Sequence, residues 1–261
     1  MTRYLTALFG GLLVLLAGSV AAADAPKLTI RWHGQSMFEI ITPAGTRIVT
    51  DPHAIDVFGR KNLEADLILI SHRHNDHTQV GVIENWKKAK IVHGIKDLKG
   101  DGKKFDWNLV DEKFKDVRIR TVGTYHDTTF GMERGKNAVF VLEVGGLKIV
   151  HLGDLGHLLT EEQVKRIGPV DVLMIPVGGV YTLNGSEARE VVKQLKPTKF
   201  VLPMHYGVKV YEDLLSADEF LVEQKKENIR RLDKLNKNEL VEEPDFKPKE
   251  PVIVLLYWDS K

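Results

Sequence analysis

The stretch that most constrains the fold is a largely apolar run, Ala65–Ile70, passing directly into Ser71-His72-Arg73-His74-Asn75-Asp76-His77. Four successive apolar residues, Leu67-Ile68-Leu69-Ile70, suit a strand buried on both faces. Three imidazoles and a carboxylate just beyond it call for a strand end, where polar side chains leave the core and converge. Alternation along an extended segment sends His72 and His74 the same way. Asp76 and His77 fall where the chain turns and aim at a second point nearby. One short segment therefore offers donors for two metal ions, and the fold must open a groove at its strand ends.

Short β-type runs recur on both sides of this segment: Leu28–Trp32, Met37–Ile41, Arg47–Thr50, Ile91–His93, Val117–Val122, Ala138–Val144, Leu147–Leu152, Val170–Ile175, Phe200–Leu202 and Val252–Tyr257. Pro43-Ala44-Gly45 and Gly145-Gly146 carry turn chemistry and predict antiparallel hairpins. Helices are expected at Gln79–Lys88, Thr160–Ile167, Ser186–Leu195 and Ser216–Asn236. Thr160 with Gln163, and Ser216 with Glu219, have the spacing of a capping box. In the last helix Phe220, Leu221, Ile229, Leu232 and Leu235 are expected to face the core, with the charges in solvent. Glu242–Pro251, charged and proline-bearing, reads as an exposed connection to the final strand. Strands interleaved with helices predict one layered α/β (α+β) domain whose loops gather at one edge of the sheets.

The N-terminus has a basic start at Arg3, an apolar run Leu5–Leu16, and small residues through Ala23. This is the pattern of a secretory signal peptide over 1–23, cleaved after Ala22 or Ala23. Residues 24–261 then form the mature domain, periplasmic or secreted, with no stable membrane anchor after cleavage. The chain has no cysteine, which excludes disulfides, thiolate ligands and a lipid-modified N-terminus. Its 37 lysines and arginines face 36 acids, and the leader removes one of the basic residues. That balance argues against a nucleic-acid partner bound through bulk charge, and a small-molecule substrate is expected instead. Oligomeric state is not legible.

Three more candidate ligands follow apolar β runs: His126, Asp154 in His151-Leu152-Gly153-Asp154, and His205 after Phe200–Pro203. The His-x-His-x-Asp-His run, a later histidine, a Gly-Asp after a strand and a final Pro-x-His together resemble the metallo-β-lactamase superfamily of metal-dependent hydrolases. Trp32-His33-Gly34-Gln35-Ser36, Thr50-Asp51-Pro52, Gly135-Lys136-Asn137 and Pro203-Met204-His205-Tyr206-Gly207 are similar to its ascorbate-6-phosphate lactonase-like branch. Gln35 stands where that branch often has a histidine.

The resemblance implies a four-layer αββα sandwich, two mixed sheets flanked by helices with metals along one edge. It implies that His72, His74 and His126 bind one ion, that Asp76, His77 and His205 bind another, and that Asp154 bridges them. It also places Asp51 beside the site, where a carboxylate can orient a ligand imidazole. An imidazole and carboxylate set suits two divalent ions, zinc first, with manganese or iron as alternatives. The expected activity is hydrolysis of an ester, lactone, phosphodiester or related bond by a metal-bound hydroxide, with Asp76 as the catalytic proton carrier. An iron-dependent redox enzyme and a non-catalytic periplasmic metal-binding protein remain as other readings. β-Lactamase activity is disfavoured, since lactamases of this family commonly place a cysteine where Asp154 stands.

Overall fold

The apolar runs become strands, and the strands form two sheets packed face to face. The computed structural model describes residues 27–59, 62–100, 104–209, 211–232, 239–243 and 245–256, so the leader at 1–23 lies outside the described residues. β1 (Thr29–Trp32), β2 (Phe38–Ile41), β3 (Arg47–Thr50), β4 (Leu67–Ile70) and β5 (Lys90–His93) lie side by side in the first sheet. β6 (Ile95–Asp97) and β7 (Phe105–Trp107) make a separate ribbon. The second sheet contains β8 (Asp111–Phe114), β9 (Val117–Tyr125), β10 (Lys136–Val144), β11 (Leu147–His151), β12 (Val172–Pro176) and β13 (Phe200–Met204). Of the last strands, β14 (Ile229–Arg231) and β16 (Val252–Leu255) extend that sheet beyond β13. β15 (Glu239–Val241) instead pairs with β1.

Strand direction decides where the site forms. β9, β10 and β11 are antiparallel neighbours, and β11, β12 and β13 are parallel. β9, β11, β12 and β13 therefore all point the same way, and their C-terminal ends share one edge. In the first sheet β3, β4 and β5 are parallel, and β4 ends in the histidine run.

β4 shows why its sequence is apolar throughout. Leu67 and Leu69 join the large core between the sheets, with Phe38, Ile40, Phe140 and Ile149. Ile68 and Ile70 face the other way, into a smaller cluster with Met37, Val49 and Ile83. A strand fully buried on both sides is fixed in register, and so are the residues that follow it.

α1 (Glu161–Ile167) and α2 (Gly185–Leu195) match the expected helices, and the Thr160–Gln163 capping box is present. The other two helices are corrected by the structure. Residues 79–88 form a short 3-10 turn at Val80–Val82 followed by further turns, and these cover the outer face of the first sheet. Two β-branched valines about Gly81 disfavour helix, and the Asn85 side chain bonds both backbone groups of Ala65. The segment from Ser216 contains only α3 (Asp218–Leu221), a 3-10 turn at Lys226–Asn228 and then β14. Its N-cap is Ala217, without a side-chain cap, because Glu219 bonds the Gly185 backbone N–H instead. Leu235 and Tyr257 lie outside the described residues. Among the described residues, no helix is long and apolar enough to cross a membrane.

Candidate metal centre

The seven sequence candidates come together at one edge. His72 and His74 leave β4, and Asp76 and His77 sit on the 3-10 turn Asn75–His77. His126 follows β9, Asp154 follows β11, and His205 follows β13. His72, His77, His126, Asp154 and His205 are all buried to 2% exposure or less, Asp76 is half-buried, and His74 is exposed.

Two donor triads result. One ring nitrogen from each of His72, His74 and His126 lies within 4.8 Å of the others, and so do donor atoms of Asp76, His77 and His205. Asp154 stands between them. Its Oδ2 is 3.1 Å from His77 Nε2, 3.1 Å from His126 Nε2, 3.2 Å from His205 Nε2 and 3.7 Å from His72 Nε2. Its other oxygen accepts a hydrogen bond from Ser36 Oγ. One carboxylate oxygen is thus directed at four imidazoles while the other is held by the protein.

The chemistry of these donors fits divalent metal ions. His72 Nε2 and His77 Nε2 are buried without a hydrogen-bond partner, a costly state for a polar atom that a cation relieves. Burial, reinforced by the neighbouring imidazoles, pushes the His72 pKa well below its ordinary value, so the ring is neutral, as ligation requires. Burial opposes ionisation of Asp154, yet the surrounding histidines hold its carboxyl well below the usual range. For His77 burial is outweighed by Asp154 and Asp51, which raise its pKa. That local excess of negative charge favours a cation.

Neighbours hold these side chains in place. Asp51 accepts from the Ser71 N–H at 2.7 Å and the Ser71 hydroxyl at 2.6 Å, and its Oδ2 lies 3.1 Å from His77 Nδ1. Gln35 Nε2 donates to Asp76 Oδ2 at 2.9 Å, while its backbone carbonyl accepts from the His205 N–H. Burial would raise the pKa of Asp76, but His77 and Gln35 hold it below the usual carboxylate range. Asn137 Oδ1 accepts the Asp154 N–H, and its amide donates to Leu152 O and Thr124 Oγ1. His151 accepts the Gly153 N–H at Nδ1, so its Nε2–H donates to Ser36 O. These contacts require backbone that side chains seldom adopt. Gln35, Asp51 and His205 have φ of 48°, 40° and 50°. Gly153, at φ 56°, passes so close to Asn137 and Ser71 that a Cβ has no room.

Ser36, Asn137 and Gly153 fall within motifs that carried the resemblance, but nothing local in the sequence assigned them roles. Asp127 was not anticipated. Its carboxylate accepts hydrogen bonds from the backbone N–H groups of Thr129, Gly131, Glu133 and Arg134 and from the Thr129 hydroxyl. Those bonds hold the loop beside His126. His33 and His53 lie together: His53 bonds the His33 carbonyl, and burial lowers its pKa to about 4. His93 caps β5 away from both triads, and His157 accepts the Tyr125 N–H.

A β-lactamase superfamily domain profile matches residues 29–205. The chain belongs to that superfamily, and it is a metal-dependent hydrolase. It is 34% identical over 191 residues to a metal-dependent hydrolase of Thermococcus onnurineus, covering 68% of this chain and 84% of that protein. A metal-dependent hydrolase of Thermoplasma acidophilum is 31% identical over 203 residues, covering 74% and 88%. Among solved structures, a Thermotoga maritima protein assigned as a Zn-dependent hydrolase of the metallo-β-lactamase superfamily superposes with a TM-score of 0.63. It shares 35% identity over 87% of this chain and 97% of that one.

Proposed function

We propose that the chain is an exported hydrolase that holds two divalent ions, zinc foremost, and cleaves an ester, lactone, phosphodiester or related bond of a small molecule. The position of Asp154 Oδ2, 3.1–3.7 Å from Nε2 atoms belonging to both triads, carries this reading. His72, His74 and His126 would hold one ion and Asp76, His77 and His205 the other, with Asp154 available to both. The Thermotoga relative's assignment supports zinc, and the all-imidazole and carboxylate set also accommodates manganese or iron.

Bound ions would supply Lewis acidity, lowering the pKa of a water and polarising a substrate oxygen. The chain's own residues orient and exclude. His74, Asp76, His126, Arg134, Asp154 and His205 line a cavity of about 270 Å³, where the reacting carbonyl or phosphoryl group sits. Asp76, ionised and steadied by Gln35, holds the attacking water and carries its proton to the leaving group. Residues 1–23 act as a cleaved leader, a reading supported by their charge and hydropathy pattern.

Elemental analysis of the mature protein, joined to a panel of ester, lactone, phosphodiester and β-lactam substrates, tests the proposal. Two zinc ions per chain are expected, with turnover that falls roughly 10²–10⁴-fold in Asp76→Asn. Iron with oxygen uptake, or a metal-replete protein that turns over no substrate, overturns it. Mass spectrometry of protein from the extracytoplasmic fraction checks the leader, the expected first residue being Ala23 or Asp24.

A further inference from the structure

A second cavity, of about 350 Å³, opens beside the first and shares His74 and Arg134 with it. Its walls hold Arg73, Arg134 and Lys136 together with Phe105 and Phe130, and among the described residues no carboxylate lines it. Three cations and two aromatic rings, with the acids nearest to Lys136 and Arg134 standing outside the lining, leave the space cationic and partly apolar.

The three cations are not equivalent. Lys136 is paired with Asp106 at 2.8 Å, and Arg134 lies 3.6 Å from Glu133. Arg73 has no ion-pair partner among the described residues; its guanidinium instead stacks 4.2 Å from the centre of the Phe105 ring. An arginine seated over an aromatic face, without a carboxylate partner, has N–H groups to offer an oxyanion. The opposite wall is equally fixed. The five hydrogen bonds to Asp127 shape the loop that carries Phe130 and Arg134, and Phe130, at φ 59°, packs edge-on against Tyr125. Arg134 in turn lies over Tyr181 and reaches Val180 O. The cavity is large enough for one small flat molecule and is built before any ligand arrives.

We propose that this cavity is the substrate-recognition arm of the hydrolytic site, and that it takes an aromatic or similarly flat apolar body bearing an oxyanion, bound by Arg73 and Arg134. The inference rests on the hydrolase reading only in calling the ligand a substrate. The oxyanion lies away from the reacting bond, which occupies the adjoining cavity through the shared boundary at His74 and Arg134. The ring packs between Phe105 and Phe130.

Binding, measured apart from turnover, provides the test. Metal-loaded protein is titrated calorimetrically with 2-naphthalenesulfonate, a weak metal ligand, and with the neutral 2-naphthalenemethanol. The sulfonate is expected to bind at least tenfold more tightly, and less tightly as salt is raised. Arg73→Ala and Arg134→Ala should each weaken it roughly tenfold, and Arg73→Lys should retain part of the affinity. Circular dichroism and thermal unfolding establish that each variant is folded. Equal affinity for the two probes, or undiminished sulfonate binding by the folded Arg73→Ala/Arg134→Ala double variant, overturns the inference. Selective sulfonate binding by a protein that hydrolyses nothing overturns the hydrolase reading's substrate range and leaves the anion site standing.

Discussion

The two walls of the active-site groove are built on opposite principles. The rear wall carries His72, His77, His126, Asp154 and His205, all buried, four of them just past strand ends and His77 on the 3-10 turn after β4. The front wall carries Arg73, Phe130, Met132 and Tyr181, with Phe130 and Met132 about four-fifths exposed. Buried polar groups must find partners, so in the rear wall Asp51, Ser71, Ser36 and Asn137 each hold a neighbour, and the imidazole nitrogens left over face the metal positions. Exposed groups face no such demand, and in the front wall the loop carrying Phe130 and Met132 is held by the Asp127 carboxylate. A groove made this way keeps its chemistry constant while its selectivity can change.

Substitutions should separate the walls. Asp154→Ala is expected to have the largest effect, with turnover falling to background and bound metal dropping below the wild-type content in elemental analysis. Full metal retention would break the assignment of a shared ligand oxygen. Gly153→Ala, which must fit a Cβ against Asn137 and Ser71 at a left-handed φ, should cost about 3 kcal/mol in denaturant unfolding. A loss under about 0.5 kcal/mol would mean the rear wall is looser than its contacts indicate. Asp51→Ala should weaken metal retention roughly 10–100-fold in a chelator competition, since His77 loses its orienting carboxylate. Phe130→Ala should do least to the fold, shifting stability by no more than about 0.5 kcal/mol while raising KM a few-fold. A large stability loss there would erase the contrast between the walls.

What the sequence revealed follows the same division. β4 was legible because burial on both faces leaves an unbroken apolar run, and the candidate donors after it were legible because they are adjacent in sequence. α1 was legible from its own capping box. The 216–236 segment was not, since Glu219 satisfies Gly185 across the fold rather than its own helix, and β14 exists only because β16 lies beside it. The Asn184–Glu187 capping box of α2 is local and readable, yet went unused. β8, Asp111-Glu112-Lys113-Phe114, has three charged residues and no alternation of apolar and polar side chains, and is a polar edge strand whose identity comes from pairing with β9. Asp127 and Asn137 were hidden for a related reason. Their side chains act on backbone groups brought near by strand pairing and loop closure, which spacing does not encode.

The left-handed backbone at Gln35, Asp51 and His205 has an evolutionary consequence. Each residue occupies a conformation that costs an ordinary side chain roughly 1–2 kcal/mol and costs glycine little. Glycine at any of the three would relieve that cost while deleting a group that touches the site. Selection for thermal endurance alone should therefore drift toward glycine at these positions, and selection for turnover should hold them. In a stability-driven library, the frequency of glycine there would record how much robustness the hydrolase gives up to keep its catalytic edge assembled.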